Sequence, residues 1–171
     1  MRKAYRYRLY PSKSQVTLLE QTLEICRWVY NDTLALRKTA WEQEQHSISL
    51  YETNKILTQW KKERPDLNRV HSQVLQNVQV RVDLAFKSYF RRVKAGKEPG
   101  YPRFKGKGRY DSFTYPQSGF KLDGDRLHLS KIGDVKIILH RPIEGTIKTC
   151  TVMRSSTGKW YACFSVEYDP T

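Results

Sequence analysis

Cysteine is scarce in this sequence: Cys26, Cys150 and Cys163 are the three among 171 residues. Few, scattered and odd in number, they cannot build a disulfide framework, and they fit a reducing compartment. No Cys-x-x-Cys pair occurs, which argues against a structural zinc site; all three read as small buried hydrophobes. Acid is also short, with 17 Asp and Glu against 31 Lys and Arg, for a net charge of +14. A pI near 9.8 at this size points to a polyanionic partner. No apolar run approaches the roughly 20 residues of a membrane-spanning helix. Met1 leads into Arg2, Lys3 and alternating tyrosines and arginines rather than a signal peptide. No membrane partner is expected, and the expected location is cytoplasmic and nucleoid-associated.

Catalytic constellations are missing too. His46, His71, His128 and His140 show no ligand spacing, and neither His-x-Glu nor His-Glu-x-x-His occurs. Carboxylates are dispersed; Asp123 and Asp125 flank a glycine, the ordinary place for aspartate in a turn. A two-metal nuclease needs converging carboxylates, and no such set can be assembled. No serine or cysteine has an identifiable base. The expectation is therefore no catalytic residue, no metal ligand and no enzyme activity in this chain itself.

What is present is patterned. At 39% apolar residues a packed core is feasible, as one domain or as two small ones sharing a core. Ala4–Tyr10 alternates, with Tyr5, Tyr7 and Leu9 on one face and Arg6, Arg8 and Tyr10 on the other, a half-buried strand with a basic outer face. Pro11 stops it. Ser12 and Gln15 then form a capping box. From Lys13 to the low forties, Val16, Leu19, Leu23, Cys26, Tyr30, Leu34, Arg37 and Trp41 recur at helical spacing, and Arg37 alone breaks the apolar stripe. Arg27, Arg37 and Lys38 stand among Glu20, Glu24 and Asp32, which reads as a solvated, salt-bridged face. After a polar break at Gln45–Ser49, a second helix is expected over Glu52–Lys62, ended by Pro65. A third begins near Leu67, with Val74, Val78, Val82, Ala85, Tyr89 and Val93 on one face and Gly96 as terminator. Arg81, Lys87 and Arg91 on this helix could extend a basic surface.

Composition shifts at Arg91. From there to Arg109 run Arg91, Arg92, Lys94, Lys97, Arg103, Lys105, Lys107 and Arg109, with Glu98 as the lone acid. Glycines at 96, 100, 106 and 108 allow close backbone approach to phosphates, and Tyr101 and Phe104 offer faces for stacking on unpaired bases. Beyond Tyr110 the period becomes two. Strands are expected near Ser112–Tyr115, Arg126–Leu129, Val135–Leu139, Thr146–Met153 and Trp160–Tyr168, separated by Asp123-Gly124, Gly133-Asp134, Glu144-Gly145 and Thr157-Gly158 turns. The fold expected is α+β: a small antiparallel barrel whose first strand (1–12) is separated from the rest (96–171) by a helical insertion (13–95) of three helices.

Four ordered motifs carry a family resemblance: Lys3-Ala-Tyr-Arg-Tyr-Arg-Leu-Tyr-Pro11, Cys26-Arg-Trp-Val-Tyr-Asn31, Leu75-Gln-Asn77 and Gly100-Tyr-Pro-Arg-Phe-Lys105. Together they resemble the N-terminal half of TnpB, the transposon-associated RNA-guided DNA nucleases related to type V CRISPR effectors. The resemblance covers nearly the whole chain. It implies a wedge-type barrel interrupted by a recognition domain, a guide RNA held by both, and a short motif read beside a double-stranded DNA target. It also implies a RuvC-type nuclease domain, in cis or in trans, which carries the Mg and Zn; no cofactor is expected in this chain. The RNA-binding candidates are Arg6, Arg8, Arg91, Arg92, Tyr101, Arg103, Phe104, Lys105, Lys107 and Arg109. Carried over by local match, the candidates for reading the DNA motif are Tyr51, Ser72, Gln76, Thr114 and Tyr115. Some relatives place a lysine one turn before the position of Gln76, where this chain has Ser72, and its preferred motif is left open. The rival readings are an RNA-independent, sequence-specific DNA-binding repressor and a scaffold that completes a nuclease in trans.

Overall fold

The computed structural model describes residues 1–98 and 100–170. The last residue of the expected barrel segment, Thr171, lies outside the described residues. The chain opens with strand β1 (Arg2–Tyr10) and continues into helices α1 (Lys13–Glu44), α2 (Leu50–Glu63) and α3 (Ser72–Lys94). Six strands follow: β2 (Ser112–Tyr115), β3 (Phe120–Asp123), β4 (Arg126–Leu129), β5 (Gly133–Ile138), β6 (Thr146–Arg154) and β7 (Trp160–Glu167).

The strands form one antiparallel, seven-stranded, nearly closed barrel in the order β2-β6-β7-β1-β5-β4-β3. The first strand of the chain is thus an inner strand of the sheet, hydrogen-bonded to β7 along most of its length and to β5 at its end. The edge strands approach each other where Tyr115 of β2 meets Phe120 of β3, ring centroids 6.3 Å apart. Alternation decides which side chains point inward. Tyr5, Tyr7 and Leu9 are buried against Phe164, Val166 and Trp160 of β7, and Arg6 and Tyr10 stand outside.

Local chemistry sets the helix boundaries. Ser12 accepts from the Gln15 backbone N–H while the Gln15 side chain accepts from the Ser12 N–H, the capping box expected for α1. Gln45 ends α1 in a left-handed conformation, φ 54°. Gly96, at φ +69°, lets the chain turn off α3 as a side chain would not. Leu67 falls elsewhere than expected. It is buried in a separate short 3₁₀ turn, Pro65–Arg69, and α3 begins only at Ser72. The proline fixes φ for that tight turn, and the extended Val70 interrupts helical continuity.

The face buried by α3 also differs from the expected stripe. It runs through Val74, Leu75, Val78, Gln79, Val82, Asp83 and Phe86, while Val93 is exposed. Its polar members find partners inside the helical layer, except that Gln79 Oε1 is buried without one. The Gln79 amide donates to the Thr53 carbonyl at 2.8 Å and the Thr33 hydroxyl at 3.3 Å. Arg37 and Asp83 pair at 2.8 Å. Arg37 is therefore a buried ion-pair partner and not part of a solvated face; a charge inside the helices is tolerated because an opposite charge meets it. Among the described residues, no helix is long and apolar enough to cross a membrane.

Candidate nucleic-acid interface

From Tyr101 onward, the basic segment lies along α1 instead of projecting into solvent as a free loop. Tyr101 turns inward: it is half-buried, edge-on to Tyr89 at 4.8 Å and to Phe86 at 6.1 Å. Burial pushes its hydroxyl pKa up, and Glu42 and Tyr89 add to the shift. Tyr101 is thus an anchor for the loop and not an open stacking face. Phe104 takes the opposite direction and is 50% exposed, with the Lys38 ammonium 5.6 Å from its ring. Lys38 also lies over Tyr101 at 5.2 Å.

Asn31 holds the centre of the loop. Its Oδ1 accepts the Lys105 backbone N–H at 2.8 Å, and its Nδ2 donates to the Lys105 carbonyl at 2.9 Å. Arg27 Nη1 donates to the same carbonyl at 3.1 Å, while its other nitrogens hold Glu24. That hydrogen-bonded carboxylate has its pKa lowered, chiefly by the Arg27 bond. Further along, Lys107 and Gly108 line a cleft with Glu20, Glu24 and Arg27, and Arg109 N–H closes a turn on the Gly106 carbonyl at 3.0 Å.

The backbone is tied down while the charges stay outside. Arg91, Arg92, Lys94, Lys97, Arg103, Lys105, Lys107 and Arg109 are all exposed. Among the described residues, none of these eight forms an ion pair within 4.0 Å. Lys87, by contrast, pairs with Asp83 at 3.0 Å.

Arg6 and Arg8 sit on the outer face of the barrel, their guanidinium groups lying over rings. Arg6 is 4.0 Å from the Tyr161 centroid and Arg8 is 4.7 Å from that of Tyr10. Arg6 is exposed as a planar cation over its ring, whereas Arg8 is half-buried and its Nε lies out of solvent without a hydrogen-bond partner.

The residues considered for DNA reading are placed variously. Tyr51, in the first turn of α2, is 67% exposed, with Lys55 over its ring at 4.6 Å. Ser72 and Gln76 lie four residues apart on an exposed face of α3. Thr114 is half-buried, and its hydroxyl accepts from Arg81 at 3.0 Å and meets Thr151 at 2.8 Å. Tyr115 is removed from the surface set: it is 1% exposed, and its hydroxyl donates to the Ser130 carbonyl at 2.9 Å. The two-residue period of β2 puts Phe113 and Tyr115 inside together.

Arg81 is likewise not part of an open basic surface. It donates to the Tyr110 hydroxyl at 3.2 Å, the Ser112 carbonyl at 2.8 Å and Thr114, joining α3 to β2. The sequence also gave no sign of Asn31 as a loop clamp, although it closes the Cys26–Asn31 motif. Among the described residues, no group of three or more His, Cys, Asp or Glu side chains could hold a metal ion.

Two relatives align with nearly all of this chain. A protein of Streptomyces pristinaespiralis named as a candidate RNA-guided DNA endonuclease is 33% identical over 98% of the chain. The Escherichia coli K12 protein InsQ, similarly named, is 32% identical over 96%. These matches bear out the TnpB-type resemblance carried by the sequence motifs. The chain spans 42% and 40%, respectively, of these curated relatives' lengths. A family described as a helix-turn-helix domain matches residues 1–46, which here form β1, α1 and the residues directly after α1.

Proposed function

We propose that this chain binds the scaffold of a guide RNA and reads a short DNA motif beside the target, as the non-catalytic part of an RNA-guided DNA endonuclease. The observation that carries the reading is the strip from Arg91 to Arg109: eight exposed cations, none in an ion pair within 4.0 Å among the described residues, and an outward ring at Phe104. The names of the relatives support it, and on this reading bond cleavage and its metal ions belong to a RuvC-type nuclease domain, in cis or in trans.

Binding on this reading begins with phosphate neutralisation and counterion release. On the duplex scale, about six phosphate contacts cost about three decades of affinity between roughly 50 and 200 mM salt, and single strands respond somewhat less. Phe104 stacks on an unpaired base, and Arg6 presents a flat cation to the backbone with the half-buried Arg8 beside it. Target sequence is specified by base pairing with the guide. The protein reads only the adjacent motif, through Tyr51, Ser72, Gln76 and Thr114; the Gln76 amide suits bidentate recognition of adenine in a major groove.

The test is binding, across a salt series, to the structured RNA encoded beside the gene and to an unrelated RNA of equal length. Tighter binding of the first RNA supports the proposal; equal affinity throughout removes the guide-specific part. A gel shift on duplex DNA after nuclease removal of co-purified RNA checks the rival repressor reading: sequence-specific retention would favour it.

A further inference from the structure

The loop contacts fall in order along one stripe of α1. Glu24, Asn31 and Lys38 are spaced by seven residues, two helical turns, so they lie nearly in line over about 21 Å. Arg27 stands beside them. Lys38 meets Tyr101 and Phe104, Asn31 and Arg27 meet Lys105, and Glu24 and Arg27 flank Lys107. The loop therefore runs antiparallel to α1, its backbone held at successive points while Arg103, Lys105 and Lys107 stay exposed.

We infer that Asn31 is a positioning residue for nucleic-acid binding, which orders the cationic strip before any ligand arrives. This rests on the proposed role of the strip. The chemistry is specific to a carboxamide. One end must accept the Lys105 N–H and the other must donate to the Lys105 carbonyl, as a neighbouring strand would. A hydrophobic residue satisfies neither group and an aspartate satisfies only the first. Arg27 supports the same carbonyl, but Glu24 shares its guanidinium. A glycine-rich segment left unpinned must be ordered during binding, which weakens affinity without removing a single contact. Asn31 thus strengthens binding without touching the ligand.

The test compares Asn31→Ala with Arg103→Ala/Lys105→Ala in the full chain, using the structured RNA and limited trypsin digestion, since trypsin cuts after Arg103, Lys105, Lys107 and Arg109. Asn31→Ala should raise Kd by roughly five- to tenfold through lost pre-ordering. It should keep the wild-type salt slope, accelerate cleavage between residues 103 and 109, and shift Tm by no more than about 4 °C. Asn31→Asp, retaining one of the two bonds, should be cut at an intermediate rate; if the alanine variant folds poorly, this comparison carries the test. Wild-type affinity and wild-type cleavage in Asn31→Ala would overturn the inference. Unchanged affinity in Arg103→Ala/Lys105→Ala would instead overturn the nucleic-acid reading of the strip, and the trypsin comparison would judge the clamp separately.

Discussion

Arg37 of α1 and Asp83 of α3 meet between the helices at 2.8 Å, each with a side chain only 8% exposed. Lys87 approaches the other Asp83 oxygen at 3.0 Å from the solvent side. Removing one partner leaves a buried charge uncompensated. Arg37→Ala or Asp83→Ala should each destabilise by about 3–5 kcal/mol, whereas Arg37→Met with Asp83→Leu should cost less than either single change. Urea midpoints of the three variants check this ordering; additive losses in the double variant would contradict it.

The same pair predicts an acid limb of stability. Burial alone would raise the Asp83 pKa, but hydrogen bonds from Arg37 and Lys87 outweigh it and hold the carboxyl below its ordinary value. Its folded pKa thus lies below its unfolded one. The contribution is complete above an unfolded pKa of about 4 and disappears as pH falls through the folded pKa. Asp83→Asn should be less stable at neutral pH and lose less stability on acidification, as read from urea midpoints between pH 7 and pH 3.

His71 sets a second pH limb nearer neutrality. It stands at the N-cap position of α3 without a side-chain capping bond, its Nδ1 is 3.1 Å from Ser130 Oγ, and its ring occupies the space that a side chain at Gly119 (φ +91°) would need. Burial lowers its pKa first; a Gln73 hydrogen bond opposes the shift, and Lys131 and Lys61 add to it. The folded state keeps the ring neutral while the unfolded state gains a proton below about pH 6.5. Stability should therefore fall from that pH down to the folded pKa. His71→Gln should flatten the Tm profile between pH 7.5 and pH 5.5; an unchanged profile would remove His71 as its source.

Gln76 separates DNA reading from folding. Its side chain is exposed on α3, so Gln76→Ala should leave Tm nearly unchanged while costing about 1–3 kcal/mol of discrimination at one base pair of the motif. Competition binding against single-base variants of the motif measures this. Equal loss on every sequence would make Gln76 a backbone contact instead.

Sequence periodicity made much of the fold legible, because β1, α1 and β7 have long apolar faces that tertiary contacts reinforce. β3 was missed: Phe120–Asp123 is four residues between glycines, too short for a distinctive period, and is settled by pairing with β4. The basic segment was legible as charge. The direction of its rings was not, because Tyr101 and Phe104 differ only in what lies beside them after folding. Arg37–Asp83, Arg81–Thr114 and Asn31–Lys105 join residues 46, 33 and 74 positions apart, and such contacts leave no local pattern.

The most direct measurement is the dependence of log Kd on log salt for the structured RNA, comparing wild type with Arg103→Ala/Lys105→Ala. Two lost phosphate contacts should flatten the slope by about 1.4–1.8 units and weaken binding, with Tm nearly unchanged because exposed charges contribute little to stability. An unchanged slope, or a large fall in Tm, would contradict the assignment of this strip to nucleic-acid binding.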